Sequence, residues 1–139
     1  ALAQNLVDIG GFVCPILNAR KGEVYTALYE TENGEIKRLT EYQALKPQAL
    51  CENIKKLDKR VTFLGDGVLE YQDIIKSQLG EQAQWPSINN LLPRPSSLAI
   101  LGLKKLQQGK TEDIFTLLPF YLRKSEAEIK WEAKTCRKP

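Results

Sequence analysis

The 139-residue sequence contains no histidine. Without an imidazole the chain cannot by itself build a Ser-His or Cys-His nucleophile pair, or a metal site made of histidines. The carboxylates Glu41, Asp66, Glu70 and Asp73 do not replace that chemistry, because no spacing among them singles out a general acid and its base. These absences sharply narrow the classes of enzyme open to the chain.

Cysteine is scarce, and long apolar runs are missing. The three cysteines, Cys14, Cys51 and Cys136, are widely spaced and odd in number. They fit neither a disulfide framework nor a paired zinc motif, which indicates a reduced, cytoplasmic setting. No apolar run approaches the roughly 20 residues that a membrane-spanning helix needs. Residues 1–11 also lack the basic start and the apolar segment of a secretory signal.

What is present is ordinary for a globular domain. Hydrophobic residues make up 42% and charged residues 27% of the chain, which we expect to form a single lobe over residues 1–139. The formal charge of +3 is concentrated in a basic tail, residues 123–139. A solvated terminal segment is the favoured interpretation of this tail, and direct contact with phosphate is the alternative.

The hydrophobic pattern predicts an α/β fold that opens with three antiparallel strands. Period-two alternation marks strands near residues 13–18, 23–31 and 36–42. Asn33-Gly34 suits a type I′ hairpin turn, and the polar insert from Asn18 to Glu23 forms the other hairpin connection. Sequential strands joined by short turns make a meander.

Helices and strands alternate after the meander. Pro47 opens a helix, and residues 61–64 form a buried strand that leads through Gly65-Asp66-Gly67 into a helix over residues 68–79. A doubtful strand over residues 88–92 follows. Ser96-Ser97 should cap a helix that is apolar around most of its circumference and therefore buried, with Gly109 as its stop. Residues 119–123 should lie on the core as an extended peptide.

Two segments are candidates for function. The hairpin insert presents Arg20, Lys21 and Glu23 beside Tyr25, either as solvated charges or as a binding and assembly surface. The glycine-rich turn Gly65-Asp66-Gly67 could bring backbone donors close to a phosphate. It lacks a Lys or Ser/Thr partner in phosphate-loop spacing, and Asp66 would repel the anion. A structural turn in which Asp66 caps the helix is therefore favoured.

The motifs together suggest a family. The octapeptide from Asn18 to Tyr25 is the most specific, and Lys46-Pro47, Gly65-Asp66-Gly67 and Pro119-Phe120-Tyr121-Leu122-Arg123 follow it in order. This series covers nearly the whole chain and resembles the carboxyl-terminal lobe of the TsaB (YeaZ) family of tRNA threonylcarbamoyladenosine biosynthesis proteins.

The resemblance implies both a fold and a function. The fold would be a ribonuclease H-like lobe of the actin, sugar-kinase and chaperone ATPase superfamily, the second lobe of a two-lobed protein whose first lobe is absent. The function would be that of a non-catalytic scaffold supporting TsaD in threonylcarbamoyladenosine modification at position 37 of tRNA. Implied partners are TsaD-like and TsaE-like proteins, with tRNA reached only through the complex and a homodimer formed only through the absent lobe. No cofactor is expected on this chain, since ATP and metal would belong to partner subunits, and no membrane is involved.

The same resemblance assigns site residues. The partner-binding motif comprises Asn18, Arg20, Lys21, Gly22, Glu23 and Tyr25. The family usually carries Asp where this chain has Asn18. The turn Gly65, Asp66 and Gly67 occupies the place of a degenerate nucleotide-side turn.

Two other functions stay open on the sequence. One is a nucleotide-binding or glycoprotease-like hydrolase fragment of the same superfamily. The other is an RNA-binding module that uses the basic residues from Lys124 onward, whose affinity for tRNA would fall steeply with salt.

Overall fold

A computed structural model of the chain describes residues 1–123, 128 and 131. Within these residues, seven strands make one sheet: β1 (Gly11–Asn18), β2 (Val24–Thr26), β3 (Tyr29–Glu32), β4 (Glu35–Arg38), β5 (Gln43–Leu45), β6 (Val61–Leu64) and β7 (Ala83–Gln84). The α-helices are α1 (Pro47–Lys55), α2 (Gly67–Leu79), α3 (Ile88–Leu91) and α4 (Pro95–Gln107). Short 3₁₀ helices lie at Leu2–Leu6 and Gly80–Gln82. The predicted α/β class is confirmed.

Strand β1 is the centre of the sheet. It pairs antiparallel with β2 and β3 and parallel with β6, which in turn pairs with the short edge strand β7. The predicted hairpin turn between β3 and β4 is present, and both Asn33 and Gly34 have the positive φ that a type I′ turn requires. The strand over residues 61–64 and the helix that follows the glycine-rich turn are also where the sequence predicts them.

The predicted second strand is interrupted, and the predicted third strand ends early, at Arg38. Strands β2 and β3 pair with β1 in one continuous register, yet Ala27 and Leu28 between them leave the ladder. The Leu28 amide donates to the Thr40 hydroxyl at 2.9 Å, and the Leu39 amide donates to the Leu28 carbonyl at 2.8 Å. These bonds draw the backbone away from β1, so the predicted second strand becomes β2 and β3. Strand β5 lies beyond the predicted third strand.

Helices cover the sheet on both faces. Successive side chains of β1 point in opposite directions, so this strand contributes buried residues to both faces. Cys14 and Ile16 are fully buried on one face, where Cys14 lies with Leu50 and Ile54 of α1. Val13 is buried on the opposite face, where the 3₁₀ helix Leu2–Leu6 packs. The core therefore forms around β1 and β6.

The strand predicted over residues 88–92 is wrong, because Ile88–Leu91 forms the short helix α3. The side-chain amide of Asn5 donates to the carbonyls of Asn90 and Leu92 at 3.0 and 2.8 Å. These carbonyls are therefore engaged by a side chain. Here β6 pairs with β7 instead.

Helix α4 departs from its prediction in two ways. It begins at Pro95, and its serines do not cap it: the Ser97 hydroxyl donates to Asn5 Oδ1 at 2.7 Å. It is also not a buried helix, since Ser97 is its single buried residue. The sequence pattern alone could not show that, among the described residues, the short 3₁₀ helix Leu2–Leu6 is the main element packed against it.

The segment Pro119–Arg123 has no regular secondary structure and contacts residues that flank strands β2 and β5. The ring of Phe120 lies 5.8 Å from that of Tyr42, and Arg123 pairs with Glu23. Phe120 and Tyr121 nevertheless remain largely exposed. The predicted basic tail lies outside the described residues except for Arg123, Glu128 and Trp131. Cys136 is outside them too.

Candidate functional site

The β1–β2 hairpin forms a tight loop in which two charged residues carry strained backbone. Arg20 and Lys21 have φ values of 62° and 56°, in a region that residues other than glycine seldom adopt. The loop is closed at its base by the Ala19 amide, which donates to the Glu23 carbonyl at 2.9 Å. The loop therefore projects Arg20 and Lys21 from the end of the sheet, where both are exposed.

Asn18, at the end of β1, is the residue that ties this hairpin to helix α2. Its backbone amide donates to Asp66 Oδ1 at 3.0 Å, and its side-chain amide donates to Glu70 Oε2. Its own Oδ1 accepts from the Arg20 amide at 2.8 Å. We call Asn18, Asp66 and Glu70 the hairpin–helix clasp. An amide suits this position because it both donates and accepts, whereas a carboxylate could only accept.

The glycine-rich turn is pressed against β1. A Cβ placed on Gly65 would lie 2.3 Å from the Ile16 carbonyl oxygen, and one on Gly67 would lie 3.0 Å from the same atom. Gly65 also has a φ of +108°, and its amide donates to the Leu91 carbonyl at 2.7 Å. Close packing against a neighbouring strand therefore accounts for both glycines.

Asp66 does not cap α2 as the sequence predicted. Its own backbone is helical, and its side chain makes no capping bond to the helix, because the carboxylate accepts from Asn18 instead. Asp66 and Glu70 are one helical turn apart, so both carboxylates face the end of β1. An incoming phosphate would meet this negative charge, which makes the turn a poor anion site.

The other side of the hairpin contacts the segment that follows α4. Arg123 Nη1 donates to Glu23 Oε2 at 2.7 Å, and both side chains are about one-third exposed, at 32% and 28%. Beside this ion pair, a cavity of about 290 Å³ is lined by Tyr25, Thr26, Tyr42 and residues 120–123. The predicted motif is thus split, with Asn18 facing α2 and Glu23 and Tyr25 facing the later segment.

Tyr42 is the aromatic centre of that second side. The Arg38 guanidinium lies 4.4 Å from the centre of its ring. Burial and the neighbouring Tyr42 raise the pKa of Tyr29 well above that of a free phenol, so Tyr29 stays protonated at neutral pH. Arg38 is also paired with Glu41, whose Oε2 lies 3.3 Å from Arg38 Nη2.

The two described cysteines are unsuited to act as nucleophiles. Burial raises the pKa of Cys14 to about 12 and the pKa of Cys51 to about 11. The thiolate is the reactive form, and burial disfavours it in both. Cys14 Sγ lies 3.2 Å from the Thr26 hydroxyl, a packing contact inside the core. In the part of the chain that the structure describes, no group of three or more potential metal ligands occurs.

The sequence does not predict the roles of two residues of this site. In the sequence, Glu70 is only one of several carboxylates, although its spacing from Asp66 places both on one helical face. Arg123 had been noted in a motif but not as the partner of Glu23. Only the Asp66–Glu70 spacing could have been found in advance, because the Glu23–Arg123 pair joins residues a hundred positions apart.

Comparison with known proteins identifies relatives. A family model described as TsaD, tRNA N6-adenosine threonylcarbamoyltransferase, matches residues 1–131. The tRNA threonylcarbamoyladenosine biosynthesis protein TsaB of Bacillus subtilis is 36% identical over 130 residues, which cover 94% of this chain and 55% of that protein. The chain belongs to the family that this model describes. The similarity to TsaB supports its TsaB (YeaZ) branch. The predicted family is confirmed.

Two solved structures from Pseudomonas aeruginosa share the fold. One, titled as an uncharacterized protein with similarity to peptidase YEAZ, superposes with a TM-score of 0.67 at 22% identity and covers 88% of this chain. The other, YeaZ, gives a TM-score of 0.64 at 20% identity over 86% of this chain. Each is covered to 55% of its own length, as TsaB is, so the chain spans about half the length of these relatives.

Proposed function

We propose that this chain is part of a non-catalytic assembly subunit that supports a TsaD-like enzyme in threonylcarbamoyladenosine modification of tRNA. The observation that carries the proposal is the hairpin–helix clasp. The turn that would have to approach a nucleotide phosphate is packed on the Ile16 carbonyl, and its Asp66 carboxylate is joined to Asn18. A motif that could have served catalysis is used to hold a hairpin in place.

Family membership supports the pathway. The curated relative is named for tRNA threonylcarbamoyladenosine biosynthesis, and the matching family model is described as a tRNA threonylcarbamoyltransferase. We assign this chain to the same modification, as a ribonuclease H-like lobe of the actin, sugar-kinase and chaperone ATPase superfamily. No helix among the described residues combines the length and apolar character needed to cross a membrane. We further propose that the protein acts in the cytoplasm, where the complex meets its tRNA substrate.

We propose that the chemistry of the modification is carried out by the partner proteins. A TsaD-like protein carries the transfer chemistry and the metal, a TsaE-like protein carries ATP turnover, and tRNA is bound by the complex. A homodimer would form through a lobe that this chain does not include. The exposed side chains of Arg20 and Lys21 are the part of the predicted motif best placed for a partner, because the closed hairpin fixes their direction.

Depletion of the protein in its host provides the direct test. Total tRNA is digested to nucleosides, and threonylcarbamoyladenosine is quantified by mass spectrometry. We expect the modified nucleoside to fall at least five-fold, and re-expression of the protein to restore it. An unchanged level of the nucleoside after depletion would contradict the proposal.

The hairpin assignment needs a separate measurement. Arg20→Glu combined with Lys21→Glu should reduce co-purification of TsaD, since reversing two projecting charges weakens a charge-assisted contact. Lys59→Glu combined with Arg60→Glu is the matched control, because both residues are exposed and lie after α1, outside the hairpin, and the two substitutions change the net charge by the same amount. Equal loss from both proteins would mean that net charge, not the hairpin, governs binding.

The competing hydrolase hypothesis makes opposite predictions. Calorimetric titration of the full protein with ATP should give no heat of binding, because the clasp carboxylates repel phosphate. A heat of ATP binding, or measurable peptide cleavage, would favour the hydrolase instead.

A further inference from the structure

Helix α4 carries an apolar stripe that faces away from the rest of the molecule. Leu98, Leu103 and Leu106 are 64%, 56% and 63% exposed. With 100° of rotation per residue, these three positions and those of Ala99 and Gly102 fall within about 140° of the helix circumference. The buried Ser97 lies on the opposite side of the helix. An amphipathic helix here points its apolar side outward.

The stripe is part of a concentration of exposed apolar side chains. Among the described residues, eighteen large hydrophobic side chains are exposed, and ten of them lie between Leu98 and Tyr121. Single exposed apolar residues are normal on a monomer, but several on one face of a helix form an apolar patch that marks an interaction site.

The stripe is held in a fixed orientation. Asn5 accepts from the Ser97 hydroxyl through Oδ1, and its side-chain amide donates to two backbone carbonyls just before α4. These bonds attach the first turn of α4 to the 3₁₀ helix Leu2–Leu6. A rigid, preformed surface loses little conformational entropy when a partner binds.

Gly102 lies in the middle of the stripe, and no contact among the described residues requires a glycine there. A Cβ added there would meet no atom within 4 Å, and the residue has ordinary helical backbone. Glycine inside a helix costs roughly 1 kcal/mol relative to alanine. A small residue at the centre of an apolar stripe allows a second backbone to approach closely.

The length of the relatives identifies the occupant. This chain covers only 55% of TsaB and of both solved structures. We infer that the apolar stripe of α4 docks a helix from the part of TsaB that this chain does not span. By the same rotation, Lys105 falls about 20° from the edge of the stripe, so the docked helix carries acidic residues along that border. The inference does not depend on the proposed role with TsaD, since it concerns how the two parts of TsaB-length proteins pack.

Co-purification tests the inference. The probe is the part of Bacillus subtilis TsaB outside the matched 130 residues, expressed with an affinity tag together with the untagged 139-residue chain. We expect the unaltered chain to co-purify, and hydrogen exchange of the α4 amides to slow in the complex. Leu103→Lys should reduce recovery at least ten-fold, with Leu106→Lys as a second variant.

Leu69→Lys is the matched control, because Leu69 is 69% exposed on α2, away from the stripe. It should co-purify like the unaltered chain, and thermal unfolding should show that all three variants fold. Absence of co-purification by the unaltered chain would overturn the inference, as would equal losses in the control. Sedimentation showing a dimer of the chain alone that Leu103→Lys dissociates would also overturn it, by assigning the stripe to a second copy.

Discussion

Helices α2 and α4 have thirteen residues each and similar apolar content, yet they occupy opposite environments. Helix α2 buries Val68, Tyr71, Ile75 and Leu79 against the sheet and α1. Helix α4 buries one serine and presents its leucines to solvent. An apolar stripe thus shows that a helix has something to bury, but not whether the same chain supplies the surface that covers it.

The two helices also use glycine differently. At the start of α2, Gly65 and Gly67 leave room for the Ile16 carbonyl, so their missing side chains are required by contacts within the fold. In α4, a Cβ on Gly102 would meet no atom of the described residues within 4 Å. The glycines before α2 are thus explained within the fold, whereas the glycine of α4 is explained only by the contact that we propose.

The largest expected effect is at Gly65. Gly65→Ala would combine a 2.3 Å contact to backbone with a left-handed φ, and should lower the free energy of unfolding by about 3 to 5 kcal/mol. Gly102→Ala should instead raise it by about 0.5 to 1 kcal/mol. Urea denaturation of the two variants measures both. A mild effect at Gly65 would show that the turn is not packed as described.

Truncation of one side chain in each helix tests burial directly. Ile75→Ala removes a fully buried side chain and should cost about 2 to 5 kcal/mol of unfolding free energy. Leu103→Ala removes an exposed one and should change the unfolding free energy by about 0.5 kcal/mol or less. Equal costs in thermal or urea unfolding would mean that α4 is covered in solution by this chain or a second copy.

A smaller effect is expected at the hairpin–helix clasp. Asn18→Asp would place a carboxylate against Asp66 and Glu70 and should cost about 1 to 2 kcal/mol at pH 7. The loss should shrink below about pH 4, where carboxyl groups become protonated and repulsion disappears. Urea unfolding at both pH values measures this.

The control for that substitution is Asn33→Asp. Asn33 is exposed in a tight turn with Gly34 and lies in a different hairpin. Asp is tolerated at such a position, so stability should change little. A loss that is the same at both positions, or that does not depend on pH at position 18, would rule out repulsion as its cause.

The smallest effect should come from the ion pair beside Tyr25. Glu23→Gln leaves Arg123 without its carboxylate and should cost about 1 kcal/mol or less, because both groups are partly solvated. The loss should be smaller in high salt, where the original pair is already screened. A cost that does not change with salt would indicate a packing role for Glu23.

Most elements of the fold were predictable because their signals are local. The Asn33–Gly34 turn, the buried strand β6, and helices α1 and α2 follow from turn chemistry and hydrophobic period. The errors have a common cause. The break at Ala27–Leu28, the helix in place of a strand at Ile88–Leu91, and the serines that fail to cap α4 all involve hydrogen bonds to residues distant in sequence.

The candidate site was predicted in its parts but not in its arrangement. The hairpin motif and the glycine-rich turn were both singled out as chemistry-bearing segments. Their connection through the Asn18 amide could not be predicted, because Asn18 and Asp66 are 48 positions apart. The roles expected for these residues in partner binding stay predictions.

By itself the sequence determined the class of fold, the family, and the absence of histidine chemistry, because composition, period and motif order are properties of the chain alone. Only the tertiary structure decided that Asp66 holds a hairpin and that the stripe of α4 faces outward. Both depend on which surfaces meet in space, and local sequence preference does not encode that.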